Sequence, residues 1–294
     1  MAPPGKSRAE RQLKYPMIKE SSLLDCSYDA LLAGAEKVSP SLSYDRRYAP
    51  RWNDNLMTGL PLEEIEHDLK SGAGHELDGK LCAAHSSAAL AVNAFGPWRT
   101  APGSLIIGGI IGFHSLRFEA TCPIWPSRTP PHLDLLADGD LLVAVESKCT
   151  EWMKPKAALF SDSYEELRPV DEDSNWAPWF EQMQQVRGRS QFFDAAQVIK
   201  HAFGLLSCYG TRDVRLEYLY WEPRNAGDWP QCRQHREQAD DLAAKVRRST
   251  VQLIPMSYRE LWDEWESQNS APHLQYIRSR YDLEVSQCRF PTSP

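Results

Sequence analysis

The chain has 294 residues, 42% hydrophobic and 25% charged, the composition of a globular protein with one sizeable core. A net charge of -7 at pH 7 argues against a protein that grips nucleic acid through bulk positive charge, so any such contact needs a local groove or a metal centre. Seven cysteines without a CxxC pair fit reduced thiols rather than a disulfide framework or a zinc site, and no apolar run reaches the length of a membrane span.

Residues 1–20 read as a flexible basic tail without the apolar stretch of a secretory signal, which gives a cytoplasmic location as the expectation. Residues 21–285 read as a single domain with an insertion near 150–180, and 286–294 as a frayed tail. Tyr44 to Asn53 interleaves aromatic and basic residues, a pattern that can touch a base and a phosphate but also packs on ordinary surfaces. Leu60 to Lys70 is an amphipathic helix with Pro61 at its start, stopped by Ser71 to Gly74. A second helix is expected from near Glu76 to about Phe95, rich in small residues suited to close approach to a sheet and ended by Gly96-Pro97.

Gly108 to Gly112 is a turn or bulge leading into a strand over 113–122, where Leu116, Phe118 and Ala120 alternate with Arg117, Glu119 and Thr121. A proline-rich connection then reaches a hairpin over 132–149. Residues 150–180 have no clean period and read as a long insertion or mobile loop. Apolar residues recur at helical spacing from Glu181 to Ser207, as one long helix or two abutting ones. A strand follows over Val214 to Glu222, then a helix from Gln231 to Arg248, a strand over Thr250 to Ile254, and a helix opened by Ser257 with Glu260 at capping-box spacing. This order gives an α/β sandwich around a mixed sheet.

The hairpin carries the chemistry. Glu146 and Lys148 lie inside the apolar run Leu141 to Val145 and its continuation, and burying such groups is costly unless they are paired or bind a metal. Residues two apart on a strand share a face, so Glu146 and Lys148 project together. Asp134 joins them only if opposed residues have an even number sum, which needs an odd-length Asp138-Gly139-Asp140 connection or a bulge; a plain two-residue turn points Asp134 away. Two converging carboxylates then make a hard-oxygen site for Mg2+ or Mn2+, with Lys148 beside it to orient a water or steady a phosphorane. On this short motif alone, a salt-bridged pair at a sheet end explains the residues equally well.

The element order and the Asp134, Glu146-Ser147-Lys148 pattern resemble the PD-(D/E)XK nuclease superfamily. More narrowly, the segments Gly72 to Leu77, His85 to Asn93, Leu133 to Leu136, Glu146 to Lys148 with Thr150-Glu151, Ala195 to His201 and Tyr218 to Pro223 are similar to the PGN_0703-type restriction-endonuclease-like group. The resemblance covers roughly residues 70–265. It implies a restriction-endonuclease-like core, αβββαβ, with a central mixed sheet flanked by helices. It further implies a Mg2+-dependent phosphodiesterase acting on DNA, with metal at Asp134 and Glu146, Glu76 as a further ligand from the first helix, Lys148 on the water and Gln197 in support. Lys154, Arg187, Arg189 and Lys200 are the basic residues expected on the DNA approach. Enzymes of this kind are often dimers, so a homodimer belongs to the expectation, although no residue pattern identifies an interface.

Neighbouring residues have quieter readings. Glu76 fits an exposed first-turn acid, and Gln197, Lys200 and His201, one helical turn apart, fit a buried hydrogen-bonding face. Glu119 reaches either the metal face or solvent. Glu151 is placed to pair with Lys154 or Lys156, and His85-Ser86-Ser87 lacks the Gly-x-Ser-x-Gly elbow of a hydrolase, which favours a structural role. The rival functions are a catalytically silent binding or scaffolding module on the same fold, favoured by the acidic charge, and a phosphohydrolase of small nucleotides.

Overall fold

The computed structural model describes residues 22–72, 77, 79–124 and 130–286. The strands β1 (Ser115–Thr121), β2 (His132–Asp138) and β3 (Leu142–Lys148) form an antiparallel meander. The two-residue strands β4 (Lys156–Ala157) and β5 (Ser190–Gln191) pair beside it as a small ribbon. Strands β6 (Val214–Tyr220) and β7 (Val251–Ser257) extend the main sheet in parallel, giving five strands in the order β1-β2-β3-β6-β7. The central strand β3 is buried along its whole length, and that position explains its nearly unbroken apolar sequence.

Among the described residues, eight α-helices flank the sheets: α1 (Leu23–Val38), α2 (Leu62–Ser71), α3 (Ser87–Phe95), α4 (Ala177–Val186), α5 (Ala195–Tyr209), α6 (Pro230–Val246), α7 (Tyr258–Ser267) and α8 (Leu274–Tyr281). Alternation along β3 sets which helix meets which residue. Ser147 bonds the carbonyl of Ser87 on α3 at 3.2 Å and the hydroxyl of Tyr258 on α7 at 2.7 Å, while Glu146 and Lys148 point to α5 on the other face. One apolar cluster runs from Leu23 to Val285, and within it Trp152 donates to the Trp221 carbonyl at 2.9 Å and Trp179 to that of Val251 at 3.2 Å, whereas the buried Trp262 indole N–H has no partner among the described residues.

The two ends of the described chain are sewn together. A Cβ on Gly34 of α1 would lie 2.2 Å from the Arg280 carbonyl of α8, so only glycine permits this helix approach. Beside it, the buried Arg280 guanidinium donates to Asn55, and Asn93 of α3 donates to the Tyr281 hydroxyl at 3.0 Å.

Several sequence expectations need correction. The helix expected from Glu76 begins only at Ser87, because Ser86 caps it: its hydroxyl accepts from the Ala89 N–H, and the preceding Lys80–Cys82 is a 3-10 turn entered from Gly79 at φ 120°. Residues 150–180 are not one featureless loop; they hold two 3-10 turns, β4 and the start of α4. The 181–207 region is two helices, parted where Gly188 takes φ 74° and β5 pairs with β4. Helices α1 and α8 have no counterpart in the sequence reading. The Ser257–Glu260 capping box is formed as expected. Cys26, Cys82, Cys122, Cys149, Cys208 and Cys232 are free thiols. The expected tail at 1–20 lies outside the described residues, as does all of the expected 286–294 tail except Ser286. Among the described residues no helix is long and apolar enough to cross a membrane.

Candidate active site

The β2–β3 register pairs Leu135 with Val145, Leu136 with Ala144 and Ala137 with Val143. These sums are even, the turn is odd in length, and Asp134 therefore stands opposite Glu146 on one face, as the parity requirement demanded. On the other side of Asp134, Phe118 pairs with Leu135 and Ala120 with Leu133, so Glu119 occupies the position opposite Asp134 on β1. Glu119 has φ 49°, and it is held under α2, whose Gly72 would place a Cβ 2.7 Å from the Glu119 Cβ. Three carboxylates thus stand side by side across three strands.

Lys148 completes the set from the same face as Glu146. Its ammonium donates to Glu146 and, at 2.8 Å, to Oε1 of Gln197 on α5; the other Glu146 oxygen is 2.7 Å from Nε2 of His201, one turn further along α5. Helix α5 is aligned for this by its own N-cap, where Asp194 accepts from the Gln197 N–H at 3.2 Å. Asp134 accepts the Ser147 N–H at 2.7 Å.

The electrostatics divide the carboxylates. Burial pushes Glu146 up, but the charges and hydrogen bonds of Lys148 and His201 outweigh it and hold the carboxyl well below its usual range. Burial works against the Lys148 ammonium, but Glu146, Glu151 and Asp134 outweigh it and raise its pKa. Asp134 is pushed well above the usual carboxylate range, by burial first and then by the charges of Glu146 and Glu119. Burial beside two other carboxylates therefore favours the protonated form of Asp134.

These residues lie in a cleft of about 1340 Å³. The sheet supplies its floor, α1 and the 79–88 segment one wall, and α5 with residues 156–164 the other. Asp134, Glu146, Lys148, Gln197 and Lys200 all line it, as do Glu119, Glu151, His85 and His201. Glu76 lies outside the described residues. Of the basic residues expected on the approach, only Lys200 lines the cleft. Arg187 is held by Glu165 at 2.9 Å, Arg189 lines a separate cavity, and Lys154 lies off the cleft lining. Glu151 pairs with neither Lys154 nor Lys156: it accepts the Cys149 N–H at 2.7 Å, and Lys156 goes to Asp194 at 3.3 Å.

Lys80, Lys156, Ser161, Ser163 and Tyr164 are cleft residues that sequence reasoning did not assign. Lys80 falls in a stretch expected to be helical and the others in segments without periodicity, and only the tertiary fold brings them to the sheet. His85 is tucked against Tyr28 with ring centroids 4.1 Å apart, in keeping with a structural role.

Among the described residues no group of three His, Cys, Asp or Glu side chains is arranged to hold a metal. Asp134 and Glu146 nonetheless offer the hard oxygens a divalent cation prefers, and a cation would offset the burial and the neighbouring charges that push Asp134 up. A family model described as Restriction Endonuclease associating with ARP matches residues 17–282. No curated protein and no solved structure matches the chain.

Proposed function

The chain belongs to the family of restriction endonucleases associating with ARP, and from that membership we propose that it is a metal-dependent nuclease of the PD-(D/E)XK type, hydrolysing phosphodiester bonds of DNA. The observation that carries the reading is the placement of Asp134, Glu146 and Lys148 on one sheet face at the floor of a wide cleft. The order α3-β1-β2-β3-α5-β6 supports a restriction-endonuclease-like core. The match does not extend to the narrower PGN_0703-type group, and the reading stays at the level of the superfamily.

Asp134 and Glu146 would hold Mg2+ or Mn2+, with Glu76 as the proposed further ligand. The bound ion would lower the pKa of a water and neutralise charge developing on the phosphate. The chain's own residues do the rest. Lys148, whose pKa is raised, stays an ammonium and acts as a charge and hydrogen-bond donor toward the water or phosphate, not as a base. Gln197 fixes the direction of that ammonium, and His201 fixes the second Glu146 oxygen. A cytoplasmic location and a homodimer remain parts of the proposal.

Calorimetric titration with Mn2+ and plasmid cleavage test it together. The reading expects saturable Mn2+ binding that Asp134→Asn abolishes and cleavage that Lys148→Ala abolishes. Absence of Mn2+ binding, or undiminished cleavage by Lys148→Ala, overturns it.

A further inference from the structure

Resting on the nuclease reading above, we propose that the cleft takes a single-stranded segment of DNA, with unpaired bases stacked on a wall built around Tyr48 and the phosphate chain held by Lys200 on the opposite wall.

The first wall is aromatic and is built at some cost. Asp45 and Tyr48 exchange two backbone hydrogen bonds of 2.9 Å across a tight turn whose central residues, Arg46 and Arg47, have φ 48° and 78°. Both are left-handed positions, where side chains bearing a Cβ are strained and Asn-Gly is the usual solution. Neighbours hold the turn in place: the Ala84 N–H donates to the Arg47 carbonyl at 2.9 Å, the Ala49 N–H to that of Cys82 at 2.8 Å, and Arg47 pairs with Asp29 at 2.8 Å. Its product is a tyrosine ring at the cleft that remains 47% exposed. His85 presents a ring 6.3 Å from that of Tyr48, and burial lowers the His85 pKa, so near neutral pH this ring is an uncharged aromatic face. Tyr28 lies behind it under the Arg47 guanidinium, 5.0 Å from the ring centre.

The second wall is basic. Lys200 lies half-buried over the rings of Phe160 and Tyr164, at 5.4 and 5.9 Å from their centroids, and no described ion pair engages it. Its ammonium is thereby kept at the cleft with no direct ion pair among the described residues, the Asp194 carboxylate acting on it only at longer range.

Two features select an unpaired strand. Bases in a duplex stack on one another and offer no ring face to a side chain, whereas every unpaired base offers one. A duplex also needs a broad basic surface, and a chain with net charge -7 has its cleft cations confined between walls. The volume of about 1340 Å³ exceeds the roughly 300–1,000 Å³ of small-molecule pockets, so several nucleotides fit better than one free nucleotide.

Fluorescence anisotropy in EDTA, with a labelled single strand of about 12 nucleotides and the matching duplex, tests the proposal without cleavage. The single strand should bind at least about tenfold more tightly. Tyr48→Ala should weaken it by about 5- to 150-fold, the equivalent of about 1–3 kcal/mol for one stacked base, and leave the duplex unchanged. Tyr48→Phe should bind as the parent does, and Lys200→Ala should flatten the salt dependence. Equal or tighter duplex binding, or unchanged single-strand binding by Tyr48→Ala, overturns the proposal. Cleavage assays with Mn2+ separate the two readings. Duplex cleavage without single-strand cleavage sinks this inference and spares the nuclease, whereas the predicted binding pattern without any cleavage sinks the nuclease and spares the strand site.

Discussion

Asp134 faces Glu146 across the β2–β3 ladder because three residues, not two, connect the paired positions Asp138 and Leu142. The same register that assembles the site also forces two carboxylates together, with Glu119 next in line on β1. The metal-free site is therefore held in a state its own charges disfavour.

Asp134→Asn should relieve that crowding. Without metal the variant should melt at a higher temperature than the parent, and each kcal/mol gained moves a large domain by about 2–4 °C. With Mn2+ the parent should gain stability and the variant should not. A calorimetric melt with and without the ion measures both. An unchanged response to Mn2+ would remove Asp134 from the metal set.

Lys148 and Glu146 are a buried pair, with side chains 8% and 1% exposed. Lys148→Met leaves the buried Glu146 with His201 and without its ammonium partner, still facing Asp134, and should cost about 3–5 kcal/mol in urea unfolding. Adding Glu146→Gln removes the stranded charge and should recover much of that loss. Nuclease activity should stay absent in both.

Gly204 of α5 would place a Cβ 2.6 Å from the Cys122 carbonyl oxygen. Gly204→Ala gains about 1 kcal/mol of helix propensity but forces backbone apart, a penalty of about 1–3 kcal/mol. The net expectation is a loss of about 1 kcal/mol. Because α5 also carries Gln197 and His201, the variant should lose activity beyond what its stability explains. Activity compared at equal folded fraction checks this.

Glu217 on β6 is wholly buried, with the Arg215 Nε at 3.4 Å and Glu264 nearby, and burial raises its pKa to about 7. A carboxyl raised above its unfolded value of about 4.3 binds a proton on folding, so stability falls as pH climbs from about 4.5 to 7. The decline is on the order of 3 kcal/mol and levels off above pH 7. Glu217→Gln should flatten this part of the stability–pH curve. A variant curve parallel to the parent's would remove Glu217 as its source.

The site's floor was legible because strand chemistry is local. Parity at Asp134, the Glu146–Lys148 spacing and the Ser257–Glu260 capping box each follow from a few consecutive residues. Helix α1 carried a readable signal as well, with Leu24, Ser27, Leu31 and Ala35 buried at helical spacing. The structural role that the sequence favours for His85-Ser86-Ser87 is, at Ser86, the capping of α3. The walls were not legible. Lys156 and Tyr164 sit in aperiodic chain, and Arg187 was lost from the approach to Glu165, twenty-two positions earlier. Such pairings are decided by topology, which no local pattern encodes.

The seam of α1 against α8 ties the aromatic wall of the cleft to chain far from its carboxylates. Tyr28 and the turn that presents Tyr48 rest, through Gly34, Asn55 and Arg280, on a helix that ends at Tyr281. The floor with Asp134, Glu146 and Lys148 is set by strand register instead, so floor and wall are kept in place by separate sets of contacts. A change at Gly34 or Arg280 should therefore loosen the wall and leave the floor in register.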